Sequence, residues 1–204
     1  MTLQAQQTKA NRQGFELVVI GSSAGGLAAL TSVIGQLPDN FPQAVLVVQH
    51  LAKQYRSHMA EILARSSRLN VKQAEDGEKI EPGTVYIAPP DQHLLVNSDF
   101  TLSLSQAPEL EFLRPSVNLL FKSAAAAYKN KLIAIILSGT GHDGAEGIHE
   151  VKEAGGLVIA QSEASAQFTG MPRSAIETGD VDLVLPLEQI AESLVQLTEQ
   201  ESSK

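Results

Sequence analysis

The chain has 204 residues, 43% of them hydrophobic and 19% charged, with a net charge of −8 at pH 7. Such a length fits a single domain that buries roughly 70% of its unfolded surface. The acidic balance argues against general binding to nucleic acid or anionic membranes, and the lack of cysteine excludes disulfides, thiolate catalysis and thiolate metal sites.

Residues 1–14 are polar, with Gln4, Gln6, Gln7 and Asn11, and contain no apolar signal core. A flexible tail is expected there and at 200–204, with one α/β domain over 15–199. Nothing reaches the ~18 consecutive apolar residues of a membrane helix, so a soluble protein of the cytoplasm is expected. The first strand is read at Leu17–Gly21 and the first helix at Gly26–Leu37, where Leu27, Leu30, Val33, Ile34 and Leu37 recur at helical spacing. A strand at Ala44–Gln49 follows, then a helix at Ser57–Leu69 with Met59, Ile62 and Leu63 on its apolar side. Strands at Val71–Ala74 and Val85–Ala88 precede a hairpin of Gln92–Val96 and Thr101–Leu104, joined through Asn97-Ser98-Asp99-Phe100. Ser116–Tyr128 reads as a helix introduced by Pro115 and capped by Ser116. The remaining strands are Leu132–Leu137, Leu157–Ala160 and Leu183–Leu185, and the remaining helices Gly144–Ala154 and Leu187–Glu199.

Val18-Val19-Ile20, Val45-Leu46-Val47-Val48 and Ile133-Ala134-Ile135-Ile136 are apolar without alternation. That pattern belongs to central parallel strands covered on both faces. The fold expected is a doubly wound, mostly parallel sheet with helices on both faces and one antiparallel hairpin.

Gly21-Ser22-Ser23-Ala24-Gly25 satisfies G-x-S-x-G where a strand gives way to a helix. Glycines accept the backbone of such a turn, the serine hydroxyl stands clear of the sheet, and the helix N-terminus offers N–H groups to an oxyanion. Taken alone, the string fits a tight turn or an anion-binding loop equally well. Functional groups of an open parallel sheet gather beyond the carboxyl ends of its strands. Ser23, His50 and Asp143 each follow such an end, which assembles the parts of a nucleophile–base–acid relay. Singly, His50 reads as a capping or packing residue and Asp143 as a helix cap.

Asp91 and His93 either line the same rim or end a turn, and His142 neighbours Asp143. His58 and His149 fall in predicted helices and are expected to be solvated. No histidine or carboxylate spacing suits zinc or iron, so neither a metal nor another cofactor is expected. The glycine pattern lacks G-x-G-x-x-G, which weakens nucleotide binding.

The order Ser…His…Asp does not fit the α/β-hydrolases, whose acid precedes the histidine. It resembles the catalytic domain of the bacterial chemotaxis receptor methylesterases, the protein-glutamate methylesterase family. The matching segments include Val19–Gly26, Val48–His50, Gly77-Glu78, Tyr86–Pro89, Asp91–His93, Arg114–Phe121, Leu137–Gly144 and Gly170–Pro172, within about Phe15 to Leu197. The resemblance implies Ser23 as nucleophile, His50 as general base and Asp143 as its orienting acid. It implies hydrolysis of glutamate methyl esters on the cytoplasmic helices of chemoreceptors, with deamidation of receptor glutamines in some members. Ala24 and Thr140 would offer backbone N–H groups to the oxyanion. Arg114 falls near the mouth, where binding an acidic receptor surface and a structural ion pair weigh equally.

Three departures stand out. The residues before Phe15 cannot form the receiver domain that well-known members carry, so control falls to a separate regulatory protein, the sequence is a fragment, or this switch is not used. Thr140 stands where some members have Met, and Asn118 where Asp is familiar. Two competing readings keep the fold without the esterase: a module that binds a receptor or signalling partner, and a small-molecule domain using Gly21–Gly26 as an anion loop.

Overall fold

The apolar runs take the middle of the sheet, where both faces are covered. The computed structural model describes residues 14–50, 58–107 and 114–198. Its strands are β1 (Leu17–Ser22), β2 (Ala44–Gln49), β3 (Asn70–Gln73), β4 (Thr84–Ile87), β5 (His93–Val96), β6 (Leu102–Ser105), β7 (Leu132–Ile136), β8 (Leu157–Gln161) and β9 (Leu183–Leu185). The helices are α1 (Gly26–Gln36), α2 (Met59–Ala64), α3 (Val117–Tyr128), α4 (Ala145–Glu153), α5 (Gly170–Glu177) and α6 (Leu187–Thr198). Among the described residues a seven-stranded sheet runs in the order β3-β4-β2-β1-β7-β8-β9, and every pairing in it is parallel. β5 and β6 form the separate antiparallel hairpin. The doubly wound architecture expected from the sequence is therefore present.

Alternate residues of each central strand feed two cores. Val18 and Ile20 of β1 pack with Leu30, Val33 and Ile34 of α1 and with Ile190 and Leu194 of α6. Leu17 and Val19 face the opposite layer, among Leu120 and Phe121 of α3, Ile148 and Val151 of α4, and Leu94 and Leu102 of the hairpin. Strand order reverses between β1 and β7, so the crevice beyond their carboxyl ends is the switch point where doubly wound sheets place their sites.

Most predicted boundaries agree within one or two residues, and two elements differ for local reasons. The helix expected over Ser57–Leu69 is confined to Met59–Ala64, with Ser57 outside the described residues. Beyond it, the Ser66 hydroxyl donates to the Leu63 carbonyl and the Ser67 hydroxyl accepts from the Leu69 N–H. Serine hydroxyls that bond nearby backbone compete with helix continuation. Helix α5 is absent from the sequence reading. Pro172 lies in its first turn, where no intrahelical N–H bond is lost. The tails expected at 1–14 and 200–204 fall outside the described residues, except for Gly14.

Candidate active site

β1 and β2 are paired in parallel with Ser22 opposite Gln49, so Ser23 and His50 leave the sheet side by side. The His50 N–H donates to the Ser22 carbonyl at 3.0 Å, which continues the ladder one residue beyond the strands. On the other flank, the Ser23 N–H donates to the carbonyl of Ser138, just past β7, at 3.0 Å. Gly25 then turns the chain at φ +73° into α1, a left-handed geometry that glycine accepts without cost.

Asp143 is buried, and its carboxylate is fully used. Oδ2 takes hydrogen bonds from His50 Nε2 at 2.9 Å and the Val117 N–H at 2.7 Å. Oδ1 takes them from the Asn118 N–H at 2.9 Å and Ser116 Oγ at 3.1 Å. Two of these donors belong to the first turn of α3, where unpaired N–H groups and the helix dipole favour an anion. Burial pushes the Asp143 carboxyl up and is the largest single influence. The bonds from His50, Asn118 and Val117, with the attraction of His50, together outweigh it and hold the group below the usual carboxylate range. An ionised Asp143 can only accept, so His50 carries its proton on Nε2 and Nδ1 is the basic ring atom.

Gly21 lets this arrangement close. A Cβ built there would lie 2.3 Å from Val117 Cγ1, so any side chain must push Val117 and with it an N–H that holds Asp143. Gly21→Ala is expected to cost about 1–3 kcal/mol, as overpacked cores do, and to lower turnover; urea unfolding at the wild-type midpoint would count against this account.

Thr140 is exposed on the loop after β7, and Gly139 before it lets Ser23 and Met171 approach. A Cβ at Gly139 would sit 2.2 Å from Met171 Sδ and 2.9 Å from Ser23 Cβ. His50 and Asp143 are therefore in direct contact, with Ser23 at the adjoining strand end, while among the described residues no hydrogen bond joins the Ser23 hydroxyl to His50.

The other residues singled out in the sequence are held by neighbouring groups or face solvent. His93 is buried and accepts the Ser116 N–H on Nδ1 at 3.2 Å. Arg114 gives Nε and Nη2 to Asp91 at 3.0 and 2.8 Å, and Nη1 to the carbonyls of Gln106 and Ala107. Asp91, His93 and Arg114 together brace the segment that begins α3. Asn118 Oδ1 accepts the N–H groups of Gly144 and Gly147, capping α4 beside Asp143. His142 is exposed. His58, just before α2, and His149 are exposed and paired with Glu61 and Asp180. Among the described residues no group of three or more His, Cys, Asp or Glu side chains could hold a metal, and no helix is long and apolar enough to cross a membrane.

Sequence reasoning passed over Gln49 and Gln161. Gln49 binds the carbonyls of Ser23 and His50, and Gln161 Oε1 accepts the Ser138 N–H at 2.8 Å. Each is a buried amide closing an otherwise apolar central strand, and that misplaced polarity is the signal that could have marked them.

Comparison with known proteins bears on this constellation directly. The CheB methylesterase family profile matches residues 18–194. A relative from Leptospira interrogans is 42% identical over 183 residues, covering 90% of this chain and 95% of its own. A protein-glutamate methylesterase/protein-glutamine glutaminase of Thermotoga maritima is 44% identical over 185 residues, 89% of this chain but 54% of that protein. The crystal structure of the Thermotoga maritima CheB methylesterase catalytic domain matches with a TM-score of 0.86 at 43% identity, covering 90% of this chain and 98% of that one. The chain thus spans nearly all of the Leptospira relative and about half of the Thermotoga protein. Sheet, hairpin and the segments around Ser23, His50 and Asp143 all lie within the matched length, and this chain belongs to the CheB methylesterase family of hydrolases.

Proposed function

We propose that this protein hydrolyses glutamate methyl esters on the cytoplasmic helices of chemoreceptors, using Ser23, His50 and Asp143. The observation that supports it most is the 2.9 Å bond from His50 Nε2 to a buried, ionised Asp143, directly beside the strand end that carries Ser23. Asp143 keeps Nδ1 of His50 free to accept a proton and steadies the imidazolium that results. Ser23 Oγ attacks the ester carbonyl while His50 takes its proton, and the oxyanion is received by the N–H groups of Ala24 and Thr140. Collapse expels the methoxy group, which leaves as methanol with the proton from His50. Water, deprotonated by His50, then attacks the acyl-serine; collapse releases the glutamate carboxyl, which ionises, while His50 returns its proton to Ser23 Oγ. A receptor glutamine follows the same course with ammonia as the leaving group.

Catalytic hydrogen bonds are commonly long in the free enzyme and tighten with substrate, so the lack of a Ser23–His50 hydrogen bond among the described residues is compatible with this reading. Two measurements test the reading. A methylated receptor cytoplasmic domain is expected to release methanol on mixing with the protein, and a fluorophosphonate probe is expected to label Ser23 alone. An unlabelled protein that releases no methanol refutes the proposal. The site of action is the cytoplasm, where the receptor helices lie.

A further inference from the structure

We infer that Gln49 is a positioning residue whose side-chain amide aims the Ala24 N–H at the oxyanion. The inference rests on the functional reading above and adds a residue to it. Gln49 is 6% exposed, at the end of a strand whose other five residues are apolar. Its amide is fully engaged. Oε1 accepts from Ser22 Oγ at 2.8 Å, while Nε2 donates to the carbonyls of Ser23 at 2.7 Å and His50 at 3.0 Å. One NH₂ group therefore fixes the backbone of nucleophile and base relative to each other.

The consequence for Ala24 follows from peptide planarity. The Ser23 carbonyl is held twice, by Gln49 Nε2 and by the Gly26 N–H at 2.8 Å. The Ser23–Ala24 bond is trans, and a trans peptide sets its C=O and N–H in opposite directions. Pinning that carbonyl toward Gln49 turns the Ala24 N–H away from it, and among the described residues no protein acceptor takes that N–H. The next carbonyl, of Ala24, is held from the β7 side by Ser138 Oγ at 2.9 Å, so the turn is fixed from both flanks. Gly26 leaves the room the amide needs, since a Cβ there would lie 2.0 Å from Gln49 Oε1. A donor held in place before reaction costs no reorganisation when the oxyanion forms, which is why a buried glutamine at this position matters to rate.

Gln49→Met keeps the side chain's length and removes both donors. Its kcat on a methylated receptor domain is expected to fall about 10- to 100-fold, the scale of small misplacements at a reacting centre, with KM little changed. Affinity for a boronic acid that mimics the tetrahedral adduct should fall in parallel with kcat/KM, while affinity for the demethylated receptor product stays put. A residue that served only stability would lower the unfolding midpoint without this selective loss. If Ser23→Ala is inactive and Gln49→Met keeps wild-type kcat, the role given to Gln49 is overturned and the functional reading stands. Full activity in Ser23→Ala instead overturns that reading and the inference with it. Should Gln49→Met not fold, Ser22→Ala releases the amide's other anchor. A reduced kcat with KM preserved then supports the assignment, and an unchanged kcat overturns it.

Discussion

Replacing Ser23 with alanine is expected to lower kcat for receptor demethylation by about 10⁶-fold, the usual loss when a serine hydrolase is deprived of its nucleophile. The fold should survive almost unchanged. The backbone of Ser23 holds the turn through its N–H to Ser138 and its carbonyl to Gln49 and Gly26, and alanine keeps all three bonds. Among the described residues the Ser23 hydroxyl itself is bonded to no protein group, so its removal orphans nothing. Urea unfolding within about 0.5 kcal/mol of wild type, with methanol release at the limit of detection, is the expected pair of results. Activity near the wild-type level in Ser23→Ala would falsify the assignment of the nucleophile.

Asp143→Asn is expected to lower kcat by about 10⁴-fold, because an amide no longer dictates which nitrogen of His50 is basic. Unlike Ser23→Ala, this change should also destabilise the protein. Asp143 accepts four hydrogen bonds with its two oxygens, and an asparagine turns an NH₂ group toward donors on one side or the other. Leaving such buried donors unmatched costs about 1–3 kcal/mol. The effect should depend on pH in a definite sense. The Asp143 carboxyl is held below its ordinary value in the folded protein, so its contribution is complete above the unfolded carboxylate pKa. It declines as the pH falls through the depressed folded value, where Asp143 becomes protonated. The gap between wild type and Asp143→Asn, measured by urea unfolding, should therefore be widest near neutrality and shrink toward the acid limit. A gap that widens on acidification would contradict the ionised, hydrogen-bonded state of Asp143.

The apolar runs of β1, β2 and β7 announced a buried parallel sheet, since strands without alternation have no solvent face. Helix α3 was equally plain, with Ser116 capping it in fact as in pattern: its hydroxyl accepts the Leu119 N–H. Helix α5 has no counterpart in the sequence reading, and α2 is shorter than expected because side-chain spacing does not register the backbone bonds made by Ser66 and Ser67. The places of His50 and Asp143 at strand ends are legible in the sequence, but the direct bond between them depends on β1 separating their strands at the right distance.

What the chain specified unaided was therefore the layered scaffold and the strand ends where Ser23, His50 and Asp143 leave it, because hydrophobic periodicity and turn chemistry are local properties. The particular partners were settled by tertiary packing. Asp143 is held ionised against its burial by His50 and by the N-terminus of α3, which packs over Gly21, and the Ser23–Ala24 peptide takes its direction from Gln49 on a neighbouring strand. Those contacts join residues far apart in the chain, and whether a buried polar group is satisfied depends on what the folded neighbours present to it.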